Sequence, residues 1–304
     1  MENILDLIIV GSGPAGITAA IYAKRYGMSL EIFEKSIPGG NIVNAFEIEN
    51  YPGFKNIQGF ELALKMQEQL KFLGVGITFR NITNIEKLEN DIFKVKASNG
   101  QEYFSRYVIL ALGSTPNKLN LFNEEKFIGR GISYCATCDG SFYKNKDVIV
   151  VGGGNSAITE ALYLANLCNT VTIVARNELR ASKAELDKLM AKGNVLIKKH
   201  TSIQSLIENN NTIVGVNVID SQTKDQYAFR TDGIFVYIGS NAPTKFLQNL
   251  NILNENSYIR VNPEFETDVK GLFAVGDAID KTLRQIVTAQ SDAAIAVTHI
   301  KDRL

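Results

Sequence analysis

Apolar positions along the chain fall into short runs with two alternating periods. Residues 5–10 form a strand-length run of Leu, Ile and Val broken by one Asp, as in a parallel strand buried on both faces. A glycine cluster follows, then helical spacing over residues 17–26 and a second apolar strand over 29–33. The succession recurs as a strand at 147–151, a glycine cluster, a helical run to Leu167 and a strand at 170–174. A further apolar strand, 271–275, comes late in the chain. Two such units predict an α/β fold with two Rossmann-like dinucleotide-binding domains. Turn-rich stretches at 113–117 and 239–243 bracket the second unit. The chain therefore reads as one discontinuous domain, residues 1–113 and 244–304, with the other, 114–243, inserted into it.

The glycine clusters carry the first chemistry. Gly11-Ser-Gly13-Pro14-Ala15-Gly16 sits between strand and helix. There the glycines permit a tight turn, close approach of backbone to a pyrophosphate, and close helix–strand packing, while the helix N-terminus offers amide donors. Glu34, 18 residues beyond Gly16, stands where an acid would meet an adenosine ribose. In the second unit the loop is Gly152-Gly-Gly154-Asn155-Ser156-Ala157, and its next strand ends in Ala175-Arg176. A guanidinium in place of the acid can pair with a 2′-phosphate, which favours NADP over NAD, and Arg180 can add to it; a solvated strand-end arginine is the alternative. Two loops predict two dinucleotides with a hydride passed between them. The late strand leads into Gly276-Asp277, whose carboxylate can hold a ribitol hydroxyl of FAD.

Composition narrows the setting. The chain has 304 residues, enough for two cores, and Lys plus Arg balances Asp plus Glu at 32 each. That balance gives no field to recruit nucleic acid or an anionic membrane surface. The opening residues lack the basic start of a signal peptide and the length of a membrane span, so a cytoplasmic location is the default expectation.

Of three cysteines, Cys135 and Cys138 are separated by two residues and followed by Asp139. That spacing suits a small-ring redox disulfide or half of a zinc site. Zinc needs two more ligands, and the remaining candidates, Cys168, His200 and His299, are scattered in sequence. A redox pair is the leading reading and no metal is expected. Cys168, on the apolar helix after the second glycine loop, reads as core, and His299 as structural. The charge of Asp139 opposes thiolate formation, so it makes better sense as a proton carrier, with a solvated turn aspartate as the alternative.

Taken together, these segments resemble the bacterial-type, low-molecular-weight thioredoxin reductases. The resemblance rests on Gly11–Gly16, Glu49-Asn-Tyr-Pro-Gly53, Gly129-Arg-Gly-Ile-Ser133, Cys135-Ala-Thr-Cys-Asp-Gly140, Gly152–Ala157, Gly276-Asp277 and Arg284-Gln-Ile286, in family order over nearly the whole chain. It implies that the discontinuous domain binds FAD and that the inserted one binds NADPH and carries the dithiol. Gly11, Gly13, Pro14, Ala15 and Gly16 would then hold the FAD pyrophosphate, with Glu34 at the ribose. Gly40, Asn41 and Asn50 would lie along the FAD, Asp277 at the ribitol, and Arg284 and Gln285 at the isoalloxazine. Cys138 would face the flavin, Cys135 would attack the disulfide of thioredoxin, Asp139 would donate the proton, and Arg130 would belong to the face that meets thioredoxin. A homodimer is also implied. So is a rotation of the inserted domain about residues 113–117 and 239–243, which would bring dithiol and nicotinamide to one flavin in turn.

The chain departs from the family pattern in four places. It has Gly39-Gly40-Asn41 for Gly-Gly-Gln, and Ala111-Leu112-Gly113 for Ala-Thr-Gly. The His-Arg-Arg clamp reads Ala175-Arg176-Asn177, with Arg180 beyond, and the Gly-x-x-Pro stretch reads Gly239-Ser-Asn-Ala-Pro243. The altered clamp keeps a dithiol oxidoreductase using NADH or another donor as the alternative reading. A non-catalytic FAD/NADP sensor is the alternative from another class, and retention of Cys135, Cys138 and Asp139 argues against it.

Overall fold

The computed structural model describes residues 4–45 and 47–304; the start of the chain, read above as lacking a signal sequence, lies outside the described residues. The chain separates into two compact units. The first comprises the described residues up to 45, with 51–115 and 241–304; the second comprises 47–50 and 116–240.

In the first unit, the strand Ile4–Val10 pairs in parallel with Leu30–Glu34 on one side and Glu102–Leu110 on the other. Leu7, Ile8 and Ile9 are fully buried, which explains the unbroken apolar run: the strand is covered on both faces, with Ile8 and Val10 packed among Ile85, Phe93, Val95 and Ile259, so alternation has no use there. The helix Pro14–Arg25 begins inside the glycine motif, three residues before the predicted start, because the fixed φ of Pro14 suits the first helical position. It buries Ala15, Gly16, Ala19, Ala20 and Ala23, a small-residue stripe that lets backbones approach closely. The strand Glu102–Leu110 changes partner along its length. Its first half pairs antiparallel with Phe93–Ala97, and its last residues pair in parallel with Leu272–Ala274. The late apolar run thus completes the sheet that the first residues begin.

The second unit repeats the pattern. Its parallel strands run in the spatial order Val195–Lys198, Thr170–Val174, Asp147–Val151, Gly233–Val236 and Ile132–Ser133. Both strands predicted here keep their expected bounds. The helix Asn155–Leu164 ends before Leu167, so Cys168 lies in the following turn instead of on the helix, still buried among apolar neighbours. An antiparallel meander, Thr201–Asn209, Thr212–Asp220 and Gln226–Arg230, precedes the strand Gly233–Val236. Among the described residues no helix is long and apolar enough to cross a membrane.

The C-terminus of the first unit is fastened by Arg303. Its guanidinium donates to both oxygens of Glu266, at 2.7 and 2.9 Å, and the Gly271 amide donates to the same carboxylate at 2.8 Å. Burial pushes the Glu266 carboxyl upward, but the hydrogen bonds from Arg303 and Gly271 outweigh it and hold the pKa below the ordinary value. A carboxyl lowered on folding contributes stability above its unfolded pKa, and that contribution is lost as pH falls through the folded one. Arg303→Gln is therefore expected to cost about 2–3 kcal/mol at neutral pH. Urea titrations of both proteins should show the gap closing as pH drops through the carboxylate range; a gap independent of pH would assign the loss to something other than this pair.

Candidate active site

Each glycine loop is built by the same three backbone contacts. In the first unit, the Gly11 amide donates to Phe33 O at 2.8 Å, Ala111 N to Val10 O at 2.8 Å, and Ile17 N to Gly13 O at 2.9 Å. In the second, Gly152 N donates to Val174 O at 3.0 Å, Tyr237 N to Val151 O at 2.7 Å, and Ile158 N to Gly154 O at 3.2 Å. Gly11 and Gly152 have φ of 105° and 141°, and a Cβ on either would overlap a carbonyl oxygen, that of Ala111 or Tyr237. Gly16 faces the Gly11 carbonyl and has no room for a methyl group, whereas Ala157, its counterpart, fits.

Gly13 and Gly154 differ in kind. Both have ordinary extended backbone, with φ of −72° and −89°. A Cβ on Gly13 would come no nearer than 3.9 Å to any protein atom, and one on Gly154 would meet nothing within 4 Å. Protein packing does not require glycine at these two places. A ligand lying against the loop would require it, and a pyrophosphate at the helix N-terminus fits that demand.

Around the first loop, Glu34 is nearly buried and accepts hydrogen bonds from Ser12 N, Ser12 Oγ and Ser36 N, each at 2.9 Å. A carboxylate has about four acceptor positions, so one remains for a ribose hydroxyl. Gly40, with φ 60°, lies against Gly13, and Asn41 donates from Nδ2 to Ser114 O at 2.6 Å. Asn50 belongs to the stretch 47–50 that groups with the second unit, so the first unit alone does not bring it to this loop.

Gly276 packs on Ala15 at the head of the first helix, which sets Asp277 beside the same loop. Burial raises the pKa of Asp277, although Arg284 and Lys281 pull it down, and no protein donor among the described residues reaches its carboxylate. A hydroxyl-rich ligand would supply the missing donors. Sequence reasoning missed what holds this corner: the Gly276 amide donates to Asp292 Oδ2 at 3.0 Å, and Lys281 pairs with the same oxygen at 2.5 Å, both side chains nearly buried. Arg284 also has protein contacts that the motif did not specify. Its guanidinium donates to the carbonyls of Asp277, Ile279 and Lys281 and lies 4.4 Å over the Tyr258 ring, so it braces the loop after Asp277. Gln285 caps the C-terminal helix Ile286–Lys301 through a reciprocal capping box with Thr288.

In the second unit Cys135 and Cys138 are joined by a disulfide, with Cα atoms 5.3 Å apart. Cys135 heads the helical turn Ala136–Asp139, and its carbonyl accepts from the amides of Cys138 and Asp139. Asp139 is not a solvated turn residue. Burial raises its pKa against the opposing hydrogen bond from Ser133 Oγ, 2.6 Å away. Tyr237 was invisible in the sequence: its hydroxyl accepts from the Ala136 amide at 2.6 Å, while its carbonyl faces Gly152. One residue thus ties the glycine loop to the dithiol turn, and a contact across 101 positions leaves no local signal. Glu160, on the helix after the loop, has a buried Oε2 without a hydrogen-bond partner among the described residues, and burial raises its pKa. Cys168 is unbonded, and burial pushes its thiol up to about 11.

Asn155 and Ser156 occupy the exposed first turn after the second loop. The Arg180 amide donates to Gly153 O at 2.6 Å, placing Arg180 beside this loop. The guanidinium groups of Arg176 and Arg180 are exposed and have no protein partner among the described residues. Arg130 is likewise exposed. Among the described residues no group of His, Cys, Asp and Glu is arranged to hold a metal ion.

Residues 5–293 match the family described as pyridine nucleotide-disulphide oxidoreductase. The chain is 40% identical over 301 residues to the thioredoxin reductase of Bacillus subtilis, covering 99% of this chain and 95% of that one. It is 43% identical over 307 residues to the thioredoxin reductase of Mycoplasma pneumoniae, covering 100% and 96%. Among solved structures, the thioredoxin reductase from Streptococcus pyogenes matches with a TM-score of 0.93 and 37% identity, covering 100% of both chains.

The two classes of glycine make a sharp prediction. Gly154→Ala should leave the unfolding free energy within about 0.5 kcal/mol of the parent yet weaken binding of a nicotinamide dinucleotide. Gly152→Ala should destabilise the fold by more than about 2 kcal/mol. Urea unfolding and calorimetric titration read both, and an equal loss of stability in the two variants would refute the distinction.

Proposed function

Since this chain belongs to the pyridine nucleotide-disulphide oxidoreductase family, we propose that it is a thioredoxin reductase, passing electrons from NADPH by way of FAD to Cys135–Cys138 and on to thioredoxin. The observation that carries this reading is the Cys135–Cys138 disulfide, next to the buried carboxyl of Asp139, in the same unit as the second glycine loop. Sensors have no need of a redox pair with its own proton source.

FAD on the first loop supplies a two-electron carrier between a hydride donor and a disulfide. Gly11, Gly13, Pro14, Ala15 and Gly16 bind its pyrophosphate, Glu34 the ribose and Asp277 the ribitol, with Gly40 and Asn41 alongside. In the second unit Gly152, Gly154, Asn155, Ser156 and Ala157 bind the nicotinamide dinucleotide, with Arg176 and Arg180 at its 2′-phosphate.

Two electrons break the Cys135–Cys138 bond. The Cys135 thiolate then attacks the substrate disulfide, forming a mixed disulfide and releasing one substrate thiolate. Cys138 attacks Cys135 Sγ, restores the internal bond and frees the second thiolate. Asp139 holds a proton for these leaving groups, and Ser133 fixes its orientation. Because dithiol and nicotinamide share one unit, we further propose that this unit turns about residues 113–117 and 239–243 to present each in turn. Cross-linking the units in the state that reduces the disulfide blocks flavin reduction by NADPH; undiminished turnover overturns the rotation.

Cys135→Ser and Cys138→Ser should each abolish thioredoxin reduction while leaving flavin reduction intact. A reductive titration should take up about four electrons per flavin in the parent and about two in either variant. Near-normal thioredoxin reduction by Cys135→Ser would sink the dithiol mechanism.

A protonated Asp139 is the active form, so turnover should decline as pH rises through its elevated pKa. Asp139→Asn should slow turnover and remove that limb of the pH–rate profile. An unchanged profile would place the proton source elsewhere.

A further inference from the structure

The chain lacks two of the groups that the resemblance places at the 2′-phosphate, with Ala175 for His and Asn177 for Arg. The structure brings other cations to the same strand end. The neighbouring parallel strand Val195–Lys198 pairs with Thr170–Val174 in the register Val174↔Lys198. Ala175 N donates to Lys198 O at 2.9 Å, and Thr201 N donates to Ala175 O at 3.0 Å. Lys199 and His200 therefore lie between these two bonds, across from Ala175 and next to the strand end that carries Arg176. His200 has φ 54°, and this left-handed residue turns the chain at that place.

Both side chains are drawn to the loop that carries the arginines. Lys199 Nζ is 2.6 Å and His200 Nε2 3.1 Å from the carboxylate of Glu178, which stands between Arg176 and Arg180. These pairs hold Glu178 below the ordinary carboxyl pKa. Glu178 is well exposed, and a solvent-facing ion pair of this kind is easily exchanged for a better partner. A phosphate dianion offers more charge and more acceptor oxygens than a carboxylate. Arg176 and Arg180, with no protein partner for their guanidinium groups among the described residues, flank Glu178 in sequence and are exposed.

We propose that Lys199, with His200, is a specificity-determining group for the nicotinamide dinucleotide. On arrival of the 2′-phosphate, Lys199 leaves Glu178 and supplies the charge that the absent arginine would have given. A strand-end lysine thus replaces a loop arginine from the adjoining strand. This rests on the NADPH reading above, and the test separates the two.

NADP+ and NAD+ are titrated calorimetrically into the oxidised, FAD-loaded protein and its variants. Lys199→Ala is expected to weaken NADP+ about fivefold with NAD+ unchanged, and Lys199→Arg to restore NADP+ binding. His200→Asn, which tolerates the left-handed backbone, should weaken NADP+ by a smaller factor. Glu178→Gln should tighten NADP+ alone, because a competing anion is gone. Arg176→Ala is the control. If it leaves the NADP+/NAD+ ratio untouched, the NADPH reading itself fails. If Arg176→Ala lowers the ratio but Lys199→Ala does not, or if Lys199→Ala weakens both nucleotides equally along with thermal stability, the role given to Lys199 is wrong and the triad with Glu178 only pins the turn.

Discussion

Everything functional in this protein depends on a backbone-to-backbone approach that excludes a side chain. Where Gly11 passes the Ala111 carbonyl, and again where Gly152 passes the Tyr237 carbonyl, the loop leaves its strand so closely beside a neighbour that a methyl group cannot fit. That proximity points the first amides of the following helix at one spot in front of the sheet. Gly13 and Gly154 leave the spot clear, with space beside them that no protein atom fills. The buried strands, the small-residue stripe on the first helix and the late strand Leu272–Ala274 all serve to hold this geometry.

Around the loops, polar groups divide into those that brace and those left open. Glu34 accepts two hydrogen bonds from Ser12 of the loop and one from Ser36, Arg284 gives its guanidinium to three carbonyls, and the Lys281–Asp292 pair pins the Gly276 amide. Among the described residues no donor hydrogen-bonds the Asp277 carboxylate, and the guanidinium groups of Arg176 and Arg180 have no partner. A buried network fully satisfied by protein is rigid and has no capacity for a ligand. The open groups lie at strand ends beside the loops, where ligands of open α/β sheets bind.

Much of this was legible in the sequence because it is local. Strand runs, glycine loops and the acid or base at the next strand end lie within a few dozen residues of one another, and their physical reasons are short-range. The helix boundaries drifted by three residues at Pro14 and at Leu164, since periodicity says little about where the last hydrogen bond falls. What escaped notice are contacts that no motif carries, whatever their separation in sequence. Tyr237 reaching Ala136, Asp292 reaching Gly276, and Lys199 reaching Glu178 join residues with no shared motif. Arg284 was placed by its motif but not by its contacts, and the guanidinium proved to face carbonyls.

The discontinuity of the first unit has a consequence for how the protein is made. Translation delivers residues in order, and domains fold as their chain emerges. All five parallel strands of the second unit, the last being Gly233–Val236, leave the ribosome before the strand Leu272–Ala274 and the helix Ile286–Lys301 exist. The inserted unit can therefore mature while its host is still an open sheet with one edge of Glu102–Leu110 unpaired at Val108–Leu110. Asp277 follows that strand, so the corner around it forms only late in synthesis. Loss of the last thirty residues would spare the dithiol and its nucleotide loop, leaving a nascent protein that is half-finished in space as well as in sequence.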